Sequence, residues 1–326
     1  MEPRGFSGPV GAGQFEAVRI SSNQFRPTRR YRDPVSQPAP KLIPIESLDD
    51  PRVAGYRNVR DGDLRGRDGR FIAESRKIVV RALHSNFEVE SLLLSMGQAE
   101  ALASEIDRLP AAIAVFVASE ELLWAISGHH VHGGALALVR RPSDAALSAA
   151  RRFEALALRR SEERLTVIAL ANVTHMDNVG SVFRSAAGLG VDLVLLDRRC
   201  CDPLLRKPIR VAMGHSLTLP FAWSDDLLAD CTFLRRTMGF AIVAAESSDP
   251  RPAAPTSVPL PQSSLWRNTP RALCLFGNEG HGLDADLLGA SDEQIEIPMA
   301  EGFPSLNVAV AMAIAVYERR RAIRSR

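Results

Sequence analysis

The sequence has few of the residues that build disulfide or metal-bound frameworks. It contains four cysteines in 326 residues: Cys200 and Cys201 are adjacent, while Cys231 and Cys274 stand alone. No two of them form a Cys-x-x-Cys pair, so the spacing matches neither the common zinc sites nor the thioredoxin-like motif. We expect no metal, and we interpret the thiols as buried or incidental.

Long apolar runs are also missing. None reaches the roughly 18 residues that a membrane-spanning helix needs, and the longest candidate, residues 306–317, is typical of a buried helix. The N-terminus lacks the apolar core of a signal peptide. We therefore expect a cytoplasmic protein with no membrane partner.

Neither sign of charge dominates, because the formal net charge is only +2. Arginine nevertheless far outnumbers lysine and is clustered along the chain. The clusters are Arg26, Arg29, Arg30 and Arg32; Arg57, Arg60, Arg65, Arg67 and Arg70; and Arg319, Arg320, Arg321, Arg324 and Arg326. Guanidinium groups suit phosphate oxygens, and basic patches are typical of RNA-binding surfaces. A solvated arginine-rich surface explains the same clusters equally well.

The first half of the chain predicts a basic tail followed by a small α/β domain. Residues 1–42 are rich in glycine, serine, proline and arginine, and they bury too little apolar surface to offset their ordering entropy. We expect them to be disordered. The next segment, 43–141, alternates between the two element types, with strands at 87–94, 112–117 and 135–139 and helices at 99–109 and 120–125.

A linker with helical stretches, 142–163, leads into a second α/β domain at 164–326. Its first strand is a continuous apolar run, typical of a parallel strand covered on both faces. A helix ends at Gly190, and a second helix begins at Ser224 as N-cap and ends before Gly239. Ser305 is the predicted N-cap of the last helix. The remaining elements are strands at 165–171, 193–196, 241–245, 271–276 and 294–297, helices at 179–189 and 306–321, and a proline-rich surface loop at 248–262.

A glycine-rich segment, Gly-Asn-Glu-Gly-His-Gly at 277–282, directly follows a predicted strand. Ligands of open α/β sheets bind outside the carboxyl ends of the strands, and glycine allows positive φ and close backbone approach. A simple strand-to-helix turn explains the glycines as well, although Glu279 is an unusual residue for such a turn. The spacing is neither Gly-x-Gly-x-x-Gly nor that of a P-loop, which argues against a nucleotide-dependent dehydrogenase.

A second strand end carries Ile297, Pro298 and Met299, followed by the helix start at 305–307. Because Pro298 cannot donate to a sheet ladder, the chain leaves the strand there and exposes its main chain. Asn307 is expected at the second position of the helix. Asparagine is a mediocre helix former, so a structural role explains it poorly.

The segment 178–190 predicts a helix whose apolar face is formed by Val179, Val182, Phe183 and Ala186. Arg184 points off that face. Taken alone, it is explained by a solvated charge.

In this order, the segments 178–190, 275–283 and 297–311 resemble the three signature motifs of the SpoU (TrmH-type) RNA ribose 2′-O-methyltransferases, a SPOUT family. The resemblance covers nearly all of the second domain, and 43–141 resembles the ribosomal-protein-like substrate-binding domain of many members. It implies an α/β fold in which a small RNA-binding domain precedes a C-terminal trefoil-knotted SPOUT domain with a parallel sheet. It also implies a homodimer through the C-terminal domain and an rRNA or tRNA substrate. His175, Ser181 and Asn278 stand where the family varies.

The resemblance further implies S-adenosyl-L-methionine (AdoMet) as the cofactor, held mostly by main chain. The cofactor-binding residues it implies are Leu275, Gly277, Ile297, Met299 and Leu306. The catalytic residues it implies are Asn178, Arg184, Glu279, Ser305 and Asn307.

The resemblance implies that Arg184 is the catalytic arginine, with Asn178 positioning it and Glu279 nearby. The family scheme makes the arginine the proton acceptor. Arginine is effectively always protonated, so a phosphate clamp, with Glu279 or the phosphate as base, is the easier role. A non-catalytic RNA-binding or ribosome-assembly factor on the same fold is the alternative, against which the intact polar set argues.

Overall fold

Two β-sheets organise the protein, and most of their strands are the apolar segments that the sequence predicts. The structure is a computed structural model. It describes residues 42–57, 69–128, 133–159, 163–246, 257–278, 280–303 and 305–324. The predicted basic tail up to residue 41, the arginines at 60, 65 and 67, Glu279 and most of the proline-rich loop lie outside the described residues.

The first sheet consists of five strands: β1 (Leu42–Pro44), β2 (Arg70–Glu74), β3 (Glu88–Ser95), β4 (Ala114–Ala118) and β5 (Ala135–Arg140). Their order is β1-β4-β3-β5-β2. The central strand β3 runs parallel to β4 and antiparallel to β5. The sheet is therefore mixed, as in a small α/β unit.

The helical elements beside this sheet are a 3-10 helix (Pro51–Tyr56), α1 (Arg76–Leu83), α2 (Met96–Ala101), α3 (Ala103–Ile106) and α4 (Glu120–Ser127). The helix predicted at 99–109 is thus two short helices, separated by Leu102. Ser119 caps α4 by accepting a bond from the Leu122 amide, and Gly128 ends it with a left-handed φ of 75°.

The second sheet consists of seven strands: β6 (Leu165–Leu170), β7 (Leu193–Asp197), β8 (Phe221–Ser224), β9 (Ala241–Ala245), β10 (Val258–Pro259), β11 (Arg271–Phe276) and β12 (Glu293–Glu296). Their order is β10-β12-β9-β11-β6-β7-β8, and every neighbouring pair is parallel. All residues of β6 are buried, as expected of a strand covered on both faces. The late strand β11 lies between β6 and β9.

Helices cover both faces of this sheet. They are α5 (Ala149–Ala157), α6 (Met176–Leu189), α7 (Arg206–Val211), α8 (Leu227–Met238), α9 (Ser264–Asn268), α10 (Ala285–Ala290) and α11 (Val308–Arg324), with 3-10 turns at His215–Leu217 and Leu260–Gln262. One apolar cluster contains α6 and α11, and the other contains α5, α8 and α10. No helix in the described part of the chain is long and apolar enough to cross a membrane.

The predicted N-cap of α8 is wrong. Ser224 is the last residue of β8, and its hydroxyl donates to the Asp230 carboxylate at 2.6 Å. The cap is Asp226, whose carboxylate accepts a bond of 2.9 Å from the Ala229 amide. Sheet pairing with β7 extends the strand through Ser224, so the helix begins two residues later than the sequence suggests.

The predicted start of the last helix is also wrong. The helix begins at Val308, and the cap is Asn307 rather than Ser305, because the side-chain oxygen Oδ1 of Asn307 accepts a bond of 3.0 Å from the Ala309 amide. Asparagine is among the preferred N-cap residues, which explains its place outside the helix.

Arg319 does not belong to a basic surface, in contrast to the C-terminal cluster read from the sequence. Its side chain is 1% exposed and stacks on Trp266, with its guanidinium carbon 4.9 Å from the ring centre. The guanidinium donates hydrogen bonds to Thr166 Oγ1 and to the carbonyls of Leu165, Trp266, Thr269 and Pro270. Arg319 therefore fastens α11 to the starts of β6 and β11.

The two sheets share a continuous apolar cluster, which contains Val79 and Leu94 beside Val179 and Phe183. Two ion pairs cross the same junction. Arg141 lies 2.7 Å from Asp202, with both side chains almost fully buried, and Arg206 lies 2.7 Å from Glu74. Much of the segment predicted as a linker packs on the second sheet through α5. The domain boundaries stay a prediction.

Candidate active site

Three loops leave the carboxyl ends of β6, β11 and β12. The loop after β6 contains Asn172, which has a positive φ of 57°. Its carbonyl accepts a bond of 3.0 Å from the side-chain amide of Asn278 in the loop after β11. The loop that leads into the first signature segment is therefore fastened to the second segment, at the edge where open α/β sheets bind ligands.

The glycine loop after β11 is a tight turn held by its own main chain. The Gly282 amide donates to the Asn278 carbonyl at 2.7 Å, and the Gly280 amide donates to the Asn278 side chain at 2.8 Å. A Cβ on Gly277 would lie 2.3 Å from the carbonyl carbon of Gly282. Glycine is thus required at 277 by the loop itself, whatever the loop binds.

The loop after β12 places half-buried apolar side chains next to open main chain. Ile297 packs against the core, while Met299 and Leu306 are half-buried and Ser305 is exposed. In contrast, Leu275 lies inside β11, paired with strands on both sides, and its side chain is fully buried. Leu275 therefore shapes the sheet below the loops.

A direct hydrogen bond joins the first signature segment to the third. The Asn307 side-chain nitrogen donates to Asn178 Oδ1 at 2.8 Å. Asn307 uses its other side-chain atom to cap α11, so the bond fixes the start of α11 against the first turn of α6. The sequence motifs predicted these two residues, and the structure brings them together.

Arg184 lies on a different side of α6. Six residues separate it from Asn178, which corresponds to about 9 Å along the helix and about 120° around it. Arg184 is exposed, and its charge contributes to lowering the pKa of Arg81 and that of His215, although burial is the larger cause in both. The predicted proximity of Arg184 to Glu279 stays a prediction, because Glu279 lies outside the described residues.

Comparisons with known proteins show which family has a sequence similar to this chain. Residues 165–317 match the model of the SpoU rRNA Methylase family. An uncharacterised tRNA/rRNA methyltransferase of Mycobacterium bovis is 36% identical over 281 residues, which cover 84% of this chain and 90% of that protein. The chain belongs to the SpoU rRNA methylase family.

Two further comparisons extend the likeness over both sheets of this SpoU chain. The 23S rRNA (guanosine(2553)-2′-O)-methyltransferase RlmP of Bacillus subtilis is 26% identical over 85% of this chain and 98% of that protein. The crystal structure of an AdoMet-bound rRNA methyltransferase from Sinorhizobium meliloti superimposes with a TM-score of 0.70 at 23% identity, covering 86% of this chain and 98% of the other. The predicted fold class, a SPOUT methyltransferase domain behind a small α/β domain, is confirmed.

Sequence reasoning missed two residues that shape this SpoU site. Gly180, in the first signature segment, lies where α6 meets α7, and a Cβ there would be 2.6 Å from Val211 Cβ. A glycine inside a helix costs about 1 kcal/mol relative to alanine, and that cost was the available signal. Glu246, after β9, accepts a bond of 3.3 Å from the Leu283 amide, and nothing in its sequence context marks it.

No group of three or more His, Cys, Asp or Glu side chains within the described ranges could hold a metal ion. None of the four cysteines forms a disulfide; Cys200, Cys231 and Cys274 are buried, and Cys201 is half-buried. Burial raises the pKa of Cys231 to about 12 and raises the pKa of Cys200 and Cys274 above the range of ordinary thiols. These thiols are therefore poor nucleophiles.

Proposed function

We propose that this chain transfers a methyl group from AdoMet to a ribose 2′-hydroxyl of RNA. The observation that carries the proposal is the hydrogen bond between Asn178 and Asn307. A second bond fastens the glycine loop to the loop after β6, at the carboxyl ends of the same parallel sheet. Family membership supports methyl transfer to RNA. The name of the Bacillus subtilis relative supports the ribose 2′-hydroxyl, and the Sinorhizobium structure supports AdoMet.

The loop after β12 fits a cofactor held by main chain. Within residues 298–306, leaving out Pro304, the backbone forms one internal hydrogen bond, from the Phe303 amide to the Ala300 carbonyl. The other amides and carbonyls are available to a ligand, while Ile297, Met299 and Leu306 offer apolar surface for an adenine ring. We therefore propose these three residues and Gly277 as the AdoMet-binding set.

AdoMet supplies a sulfonium methyl group that is already activated for transfer. What remains for the protein is to hold the ribose hydroxyl in line with the methyl–sulfur bond and to provide for its proton. Guanidinium groups stay protonated in proteins, so we propose that Arg184 binds an RNA phosphate and orients the ribose. The proton then goes to Glu279 or to the phosphate, and Ser305 and Asn307 line the approach.

An exposed apolar face of α11 also supports a homodimer. On α11, Val310 and Tyr317 are 47% and 56% exposed and share one face with the half-buried Ile314. Residues at i, i+4 and i+7 form a stripe along a helix. We propose that a second copy of the chain covers this stripe, as the family resemblance implies.

Methylation of total rRNA and bulk tRNA with tritiated AdoMet tests the function, with ribose 2′-O-methylation identified by resistance of the modified linkage to alkali. Asn178→Ala is expected to lower the rate about 100-fold or more, because misplacement by about 1 Å has that effect. Asp177→Ala, on the same turn but paired with Lys207 at the surface, is the matched control and is expected to retain activity. RNA binding without methyl transfer by the wild-type protein would favour the non-catalytic alternative.

A further inference from the structure

Three basic side chains meet at the junction of the two sheets, each from a different element. Arg81 lies on α1 of the first sheet, Arg184 on α6, and His215 in the 3-10 turn between α7 and β8. Both α1 and α6 contact this turn. The Arg81 guanidinium donates a hydrogen bond to the Met213 carbonyl, so it is held directly at the turn that carries His215.

Close packing fixes the position of Arg81. Its Cδ lies 3.3 Å from the point where a Cβ on Gly214 would be, and Ile78 lies at 3.4 Å on the same side. Gly214 itself has a φ of 79°. The aliphatic part of Arg81 thus covers the turn, and the residue as a whole is half-buried.

Within the part of the chain that the structure describes, these three side chains have no acidic partner, whereas three other basic groups at the junction do. Arg141 pairs with Asp202, Arg206 pairs with Glu74, and Lys207 pairs with Asp177. Within the described residues, neither Arg81 nor Arg184 nor His215 forms an ion pair. Burial lowers the pKa of His215, and the charges of Arg81 and Arg184 lower it further.

Like charges without counter-ions repel one another, and a bound anion removes that cost. Two guanidinium groups and an imidazole present several N–H donors, which match the oxygens of a phosphate. We propose that Arg81 is a substrate-positioning residue, which binds one RNA phosphate together with Arg184 and His215. This inference rests on the proposed function.

The consequence is that the first sheet contributes a group to the site where the ribose is oriented. The ion pairs Arg141–Asp202 and Arg206–Glu74 join the ends of β5 and β2, which α1 contacts, to the part of the chain that forms the second sheet. The first sheet therefore sets the distance between the bound phosphate and the methylated nucleotide, in addition to any affinity it provides.

The test compares RNA binding by the full-length wild-type protein, Arg81→Met and Arg81→Lys, using a fluorescein-labelled RNA oligonucleotide of mixed sequence over a range of salt concentrations. Arg236→Met is the matched control, since Arg236 is exposed on α8, on the opposite face of the second sheet. Arg81→Met is expected to weaken binding about ten-fold, as for loss of a charged hydrogen bond. The slope of log Kd against log salt is expected to fall by roughly one phosphate contact. Arg81→Lys should restore the slope.

A second measurement follows His215 by NMR of its ring protons. Addition of the oligonucleotide is expected to raise the pKa of His215 in the wild-type protein, because a phosphate favours the imidazolium form. A purely structural role for Arg81 would lower the Tm of Arg81→Met without changing the salt slope, and that result would overturn the proposal. Equal RNA affinities and equal slopes of log Kd against log salt for Arg81→Met and Arg236→Met would also overturn the proposal. Methylation of RNA by the wild-type protein would still support the proposed function in that case.

Discussion

Gly180 and Gly188 lie on the same helix, α6, and we expect the same substitution to have opposite effects at the two positions. An alanine Cβ at Gly180 would lie 2.6 Å from Val211 Cβ and 2.9 Å from the Pro208 carbonyl oxygen, well inside the 3.4 Å at which ordinary contact begins. Nothing lies within 4 Å of the corresponding point at Gly188. The steric effect is therefore confined to Gly180.

Two contributions set the change in the free energy of unfolding: the helix propensity of alanine and the steric cost of its added Cβ. Replacing a helical glycine by alanine stabilises by up to about 1 kcal/mol, and this gain applies at both positions. Overpacking a well-filled contact costs about 1–3 kcal/mol, and the cost applies only at Gly180, where the neighbours include main chain of α7. Gly188→Ala is thus expected to be stabilising by up to about 1 kcal/mol, and Gly180→Ala to be less stable than Gly188→Ala by about 1–3 kcal/mol.

Urea unfolding of the two variants beside the wild-type protein measures both terms, provided that the m-value is unchanged. Because the propensity term is common, the difference between the variants isolates the contact between α6 and α7. Equal free energies of unfolding for Gly180→Ala and Gly188→Ala would refute the reasoning. They would mean that α7 moves away from α6 without cost.

Two further predictions concern α11. Arg319→Lys is expected to destabilise the protein by about 1–3 kcal/mol, because an ammonium has three donors for five acceptors and leaves buried carbonyls without a hydrogen bond. A loss of less than about 0.5 kcal/mol in urea unfolding would contradict the proposed role of Arg319 in holding α11 in place. Tyr317→Glu is expected to convert the proposed dimer to a monomer in sedimentation velocity, without loss of folded structure. The control is Phe233→Glu, which changes a similarly exposed aromatic residue on α8 and should remain dimeric. An unchanged dimer in Tyr317→Glu would exclude the apolar stripe of α11 as the interface.

The strands of the second sheet could be predicted because their burial on both faces leaves a continuous apolar run, as in β6 and β11. The helix ends were less predictable. Ser224 and Ser305 are both good capping residues by type, yet strand pairing extends through Ser224, and Asn307 outcompetes Ser305 because it lies directly before the first helical turn. The residue type therefore indicates which positions could cap a helix, and the contacts of the folded chain decide which of them does.

The resemblance predicted that Asn178 and Asn307 serve the same site, but it did not predict the hydrogen bond between them. The two residues are 129 positions apart, so no local sequence pattern relates them. Arg319 could not be distinguished from its neighbours Arg320 and Arg321 by sequence. Its burial depends on the carbonyls at the starts of β6 and β11, which converge only in the folded chain. Arg81 was missed for the same reason, since its partners lie across the junction between the sheets.

The position of β11 between β6 and β9 has a consequence for how the chain folds during synthesis. Until residues 271–276 leave the ribosome, β6 and β9 each present an unpaired edge, and neither can pair with the other in the native order. Arg319 then bonds to the Leu165 carbonyl, 154 residues earlier. Such non-local closure makes folding slow and leaves strand edges open to aggregation in the interval. The sheet that carries the candidate site is therefore completed only after residues 293–296 have been made.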